Sequence, residues 1–117
     1  MRKADAIAAL AALAQEHRLE TYRLLVQAGP EGIAAGEVAD AIGLPPNTLT
    51  FHFDRLRQAG LVTVRREGRS MIYAARYDTM NALLGYLTEN CCKGAPETCA
   101  PAAACRPARG RRTKVPA

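Results

Sequence analysis

"TLTFHFDRLRQAGLVTVRREGRSMIYAA", residues 48–75, changes its period half-way along. Up to Gly60 the apolar residues Leu49, Phe53 and Leu56 recur at the spacing of one helix face. Pro45 and Pro46 just upstream can open a helix but not continue one, and Gly60 ends the run, so a helix is expected over residues 46–59. Beyond Gly60 the β-branched Val62 and Val64 alternate with polar residues. A break follows at Glu67-Gly68-Arg69-Ser70, and then Ile72 and Tyr73 resume the apolar pattern. That is a two-stranded hairpin with Gly68 in its tip.

Working outward, residues 34–42 form a short helix around Val38, Ala39 and Ile42, closed by Gly43. Residues 16–28 place Leu19, Tyr22, Leu25 and Val26 on one side of a helix that stops at Gly29-Pro30. Residues 4–14, "ADAIAALAALA", are rich in the best helix former. Ile7, Leu10, Leu13 and the interleaved alanines are expected to make one small-residue apolar face suited to close helix–helix approach. Downstream, "YDTMNALLGYLTENCC" returns to helical spacing with Met80, Leu83, Leu84 and Leu87 on one face, and Cys91 is expected to extend that stripe. From Gly94 onward Pro, Ala and Arg dominate, and little fixed structure is expected without a ligand. The organisation is thus a folded domain over 1–92 and a cysteine-containing flexible tail over 93–117.

The fold class is mainly α with a small β-hairpin: helix, helix, short helix, helix, hairpin, helix, the order of a winged helix-turn-helix. In that arrangement the helix 34–42 braces the helix 46–59, whose N-terminal residues enter the major groove of DNA. Asn47, Thr48, Thr50 and His52 are the candidate groups for base edges and phosphates. Arg65, Arg66 and Arg69 in or near the hairpin tip would lie against the DNA backbone or the minor groove. The bland alternative is an ordinary solvated helix face and hairpin. Charge argues against it. The net charge is +5, and Arg106, Arg109, Arg111, Arg112 and Lys114 of the tail account for as much, leaving the remainder neutral. Within that neutral body, residues 50–76 hold six arginines against Asp54 and Glu67, a basic block inside a folded segment.

At 117 residues the chain can build one modest core and is expected to lean on a partner subunit. It has no apolar run long enough for a bilayer and no secretory leader pattern, so a cytoplasmic protein with no membrane partner is expected. In that reducing compartment clustered thiols are metal-binding or redox-active more often than structural disulfides. All four cysteines fall in "ENCCKGAPETCAPAAAC", residues 89–105. An enzyme is disfavoured, since the cysteines have neither C-x-x-C spacing nor an accompanying acid or base, and no phosphate-cradling loop is present. No catalytic residue or catalytic cofactor is expected.

The stretch 48–75 resembles the DNA-binding half of the ArsR/SmtB family of metal- and metalloid-responsive repressors. The match runs through Thr50, His52, Leu56, Ala59, Gly60, Leu61, Val62, Gly68, Arg69 and Tyr73, with Phe53 in place of the usual leucine. "LAQEHRLETYRLL" resembles an earlier helix of the family through Arg18 and Leu19, and the similarity spans about residues 8–90. The resemblance implies a homodimer whose first and last helices pack across the two-fold axis, and ligand-controlled release from double-stranded operator DNA. The family's arsenic site in the helix matching 34–42 has no cysteines here. Its zinc site on the last helix has no histidines here. Cys91, Cys92 and Cys99 are similar to a third arrangement, a vicinal pair at the end of the last helix with a third cysteine further on. As(III) is then the expected inducer, with Sb(III) or methylarsenite as chemical relatives. Soft thiolates select such soft ions, and three sulfurs suit their pyramidal geometry. Zinc, cadmium or lead binding, a thiol-redox switch, and tail cysteines without a role remain open. Cys105 looks auxiliary.

Overall fold

Helix α4, Pro46–Gln58, buries Leu49, His52, Phe53 and Leu56 in the core of the fold. The computed structural model describes residues 1–91. The remaining elements are α1 (Lys3–Leu13), α2 (Glu16–Ala28), β1 (Ile33–Ala34), α3 (Ala35–Ile42), β2 (Val62–Glu67), β3 (Ser70–Ala75) and α5 (Tyr77–Thr88). Met1–Tyr86 forms one compact unit. Of the second, Leu87–Ala117, the described part ends at Cys91. The tail 93–117, with Cys92 just before it, lies outside the described residues.

The mainly helical winged helix-turn-helix expected from the sequence is the fold observed. Pro46 stands in the first turn of α4, and Gly43 ends α3 in the left-handed conformation at φ 82°. The side chain of Gln15 accepts a hydrogen bond from the Arg18 N–H (2.9 Å) and caps α2. Leu25, Val38, Leu49, Phe53, Leu56, Leu61 and Val62 are the buried centre. The hairpin pairs β2 with β3 in the register Val64↔Tyr73 and turns through Gly68 and Arg69. Gly68 has φ 61°, the left-handed value a primed hairpin turn demands of its first central residue.

Three features differ from the sequence reading. First, β1 joins the hairpin to make a three-stranded antiparallel sheet of order β1-β3-β2, with Ile33 opposite Tyr73 and Ala34 opposite Ile72. A strand of two residues has no periodicity by which to be detected. Second, α1 turns mainly its alanines to the core, with Leu13 at its end partly buried there. Ala6, Ala9 and Ala12 are buried against α2 and α4, whereas Ile7 (59% exposed) and Leu10 (43%) face outward. A row of methyl side chains lets the helix axis approach closely, so the longer side chains at other angles are left on the far side. Third, α5 stops at Thr88 and Asn90 adopts φ 58°, so Cys91 leaves the helix and does not extend its apolar stripe. In that stripe Leu83 is buried while Leu84 and Leu87 stay on the surface. Likewise Leu19, expected on the inner side of α2, is exposed.

Candidate nucleic-acid interface

The stripe Leu49, His52, Phe53 and Leu56 fixes the rotation of α4, because those four side chains are buried. The opposite side is therefore Asn47, Thr48, Thr50, Phe51 and Arg55, all exposed. Asn47, Thr48 and Thr50 lie where the sequence placed them, in the first turns. Their polar groups are partly engaged locally. The Asn47 Oδ1 accepts from the Thr48 N–H (3.1 Å), and the Thr50 hydroxyl donates to the Pro46 carbonyl (3.0 Å). Both interactions are solvent-exposed and leave the Asn47 amide N–H₂ as a donor.

His52 is the exception among the sequence-derived DNA contacts. It is only 7% exposed and belongs to the inner stripe, so the expectation that it faces DNA is corrected. Its Nδ1 lies 3.4 Å from Nη1 of Arg18, whose Nε–H also donates to the Ala12 carbonyl at 2.7 Å. A guanidinium only donates, so Nδ1 is the acceptor and the imidazole is neutral with its proton on Nε2. Arg18 thereby ties the end of α1, the start of α2 and the middle of α4 together. The ring of His17 stands 5.9 Å from that of His52. Burial, then the Arg18 charge, then His17 lower the His52 pKa below its ordinary value.

This has a sign that can be checked. The unfolded chain takes up the His52 proton near the ordinary histidine value of about 6.5 and the folded chain only at lower pH. Stability is thus full above that value and falls as pH drops below it. The urea midpoint is expected to decline across that interval, and His52→Gln to flatten the decline. A wild-type midpoint that stays constant there would contradict the Arg18–His52 assignment.

The wing presents its arginines to solvent. Arg65 pairs with Glu67 at 2.7 Å, and the Arg66 Nε–H donates to the Gly68 carbonyl at 3.1 Å, bracing the turn in which Arg69 sits exposed. Two residues of the outer face were missed by the sequence reading: Phe51, 52% exposed, and Arg55, whose guanidinium carbon stands 5.0 Å from the Phe51 ring centroid. Their signal was the spacing of four that puts them in line with Asn47. Behind this surface, Phe53 and Tyr73 stack nearly parallel (3°) with ring centroids 3.6 Å apart, joining α4 to the wing strand.

The described part of the cysteine cluster is Cys91, half-buried in the turn after Asn90. Cys92 and Cys99 lie outside the described residues. Among the described residues no three His, Cys, Asp or Glu side chains are gathered as a metal site, and no helix is long and apolar enough to cross a membrane.

A family model described as a helix-turn-helix domain matches residues 13–65, the span from the end of α1 into the wing. The uncharacterized HTH-type transcriptional regulator YceK of Bacillus subtilis is 36% identical over 77 residues, covering 65% of this chain and 76% of that protein. The crystal structure of NolR from Sinorhizobium fredii is 33% identical with a TM-score of 0.59, over 73% of this chain and 82% of that one. The homodimeric winged helix-turn-helix DNA-binding domain of a possible ArsR-family transcriptional regulator from Mycobacterium bovis is 29% identical with a TM-score of 0.60. It covers 74% of this chain and 80% of that chain.

The chain belongs to the HTH-type transcriptional regulators. It is not an enzyme. In a winged helix-turn-helix α3 is the bracing helix, α4 the recognition helix and β2–β3 the wing, and Asn47, Thr48, Phe51, Arg55, Arg66 and Arg69 are exposed on α4 and the wing.

Proposed function

We propose that this regulator binds operator DNA as a homodimer, represses transcription there, and is released when trivalent arsenic is captured by Cys91, Cys92 and Cys99. The observation that carries the DNA-binding half is the rotation of α4. Its four inner residues are locked in the core, which turns a polar first turn outward beside an arginine-bearing wing. The dimer reading draws on Ile7, Leu10 and Leu84, aliphatic residues exposed on the first and last helices, and on the homodimeric state of the Mycobacterium bovis domain. An isolated chain of this size gains from covering them.

The metalloid half draws on the sequence of the cysteine segment. A vicinal pair and a third thiol fall within one short stretch of sequence that contains Gly94 and Pro96. Free cysteine titrates near 8.5, so protons leave as the thiolates bond to the ion. Binding can release DNA only through a difference in the ion's affinity for the DNA-bound and free dimer forms.

Fluorescence anisotropy of the reduced, full-length protein on DNA from its own promoter, titrated separately with arsenite and zinc, tests the reading. Release at near-stoichiometric arsenite with zinc inert is expected, and Cys92→Ser is expected to keep operator affinity while losing that release. Equal arsenite sensitivity in Cys92→Ser would end the three-thiol assignment. Binding indifferent to arsenite but released by zinc or by oxidants would replace it with a soft-metal or redox switch on the same fold.

A further inference from the structure

The outer face of the recognition helix carries one residue that a solvated polar face does not need. Phe51 is more than half exposed, on the side of α4 opposite Leu56. Single exposed apolar residues are common on protein surfaces and carry no meaning by themselves. Two observations separate this one. It stands in the row Asn47–Phe51–Arg55, the line that a groove-bound α4 would lay along the base edges. Its ring is also held, because the Arg55 guanidinium covers it at 5.0 Å. The cation covers one face of the ring, its edge meets His52 beside the cleft against α1, and about half of the side chain stays open to solvent.

B-DNA offers such a ring few partners. In the major groove every base-pair edge presents hydrogen-bond donors or acceptors, and thymine alone among the four bases adds an apolar group, its C5-methyl. We propose that Phe51 is a specificity-determining residue that reads a thymine methyl in each operator half-site, with Arg55 positioning the ring. This rests on the DNA-binding reading above and names what one exposed side chain of that surface recognises. The neighbouring donor, the Asn47 amide, lies four residues along the helix. That is about 6 Å along the axis at 1.5 Å per residue, or roughly two base-pair steps of 3.4 Å. The thymine read by Phe51 therefore falls within about two base pairs of the position whose identity depends on Asn47.

The test uses the full chain, reduced and without inducer. A duplex bound by the wild-type protein is first selected from a randomised library. Each thymine of a half-site is then replaced singly by deoxyuridine, which keeps base pairing and removes only the methyl. One thymine per half-site is expected to weaken wild-type binding about fourfold when replaced, the transfer value of one buried carbon group. Phe51→Ala is expected to bind the thymine and uracil duplexes equally while unfolding at the wild-type midpoint, since the ring is outside the core. Phe51→Leu, which stays apolar, is expected to keep part of the discrimination.

The assignment is overturned if the same thymine stays uracil-sensitive in Phe51→Ala, or if a specific duplex is selected in which no thymine is sensitive. Failure of the wild-type chain to enrich any sequence is a different result. It would remove the DNA-binding reading itself, and this inference with it.

Discussion

Phe53→Ala is expected to lower the stability of the folded domain by about 3–5 kcal/mol, the range for deleting a buried aromatic side chain. Domains of this size hold roughly 0.05–0.15 kcal/mol per residue, so the loss takes about a sixth of the whole at the least and most of it at the low end of that range. Phe53 is 1% exposed and lies face to face with Tyr73, itself nearly buried. Alanine leaves a cavity beneath the wing strand that a rigid α4 on one side and the paired β3 on the other cannot close. The stack contributes beyond its area, about 0.5–1.5 kcal/mol for an aromatic pair. Urea unfolding at fixed protein concentration measures the change. Phe53→Leu, which restores the side chain usual in the family motif, should recover most of it. A loss below about 1 kcal/mol for alanine would mean that α4 is held by Leu49 and Leu56 alone.

Leu10→Glu should act on assembly and not on folding. Leu10 is exposed in the single chain, so glutamate there leaves the monomer's core intact. If α1 lies at a two-fold interface, both copies of the residue are buried in the dimer. Burying one leucine contributes about 1.5–3 kcal/mol, so losing two removes roughly 3–6 kcal/mol and adds two like charges. The dimer dissociation constant is then expected to rise by about two to four powers of ten. Sedimentation velocity across a concentration series reads that directly. Operator affinity should fall in step, because a half-site alone holds only one recognition helix. A variant that stays dimeric at wild-type concentrations would place the interface away from the outer face of α1.

Much of this was legible in the chain because two periods and a few terminators were unambiguous. Leu49, Phe53 and Leu56 could only be one helix face, and Val62, Val64 and Gly68 could only be a hairpin. The errors share a cause. Residue type was allowed to outvote angle. By type His52 is a polar candidate for DNA, yet it stands at the edge of the buried stripe beside Leu56 around the helix and follows it inward. Phe51 is apolar by type, yet its angle points it out. In α1 hydrophobicity favours the larger side chains for the core, whereas close packing admits chiefly the alanines and leaves Ile7 and Leu10 outside. The two-residue β1 is set by tertiary pairing with β3 and leaves no local trace. Asn90 tolerates the left-handed conformation that turns Cys91 off the helix, a signal that asparagine does carry.

Tyr73 has a consequence for control. Its backbone pairs with Ile33, at the strand that leads straight into α3. It also pairs with Val64 in the wing, and its ring lies on Phe53 of α4. Brace, reader and wing thus share a single hub, and none of the three is free to shift without the others. In the proposed dimer each subunit would meet DNA as a stiff reading head. A switch built from two such heads has little to gain by loosening one of them. In such a dimer the softer coordinate would be the gap between them, and a displacement there of one 3.4 Å base step would take both heads out of register with their half-sites together.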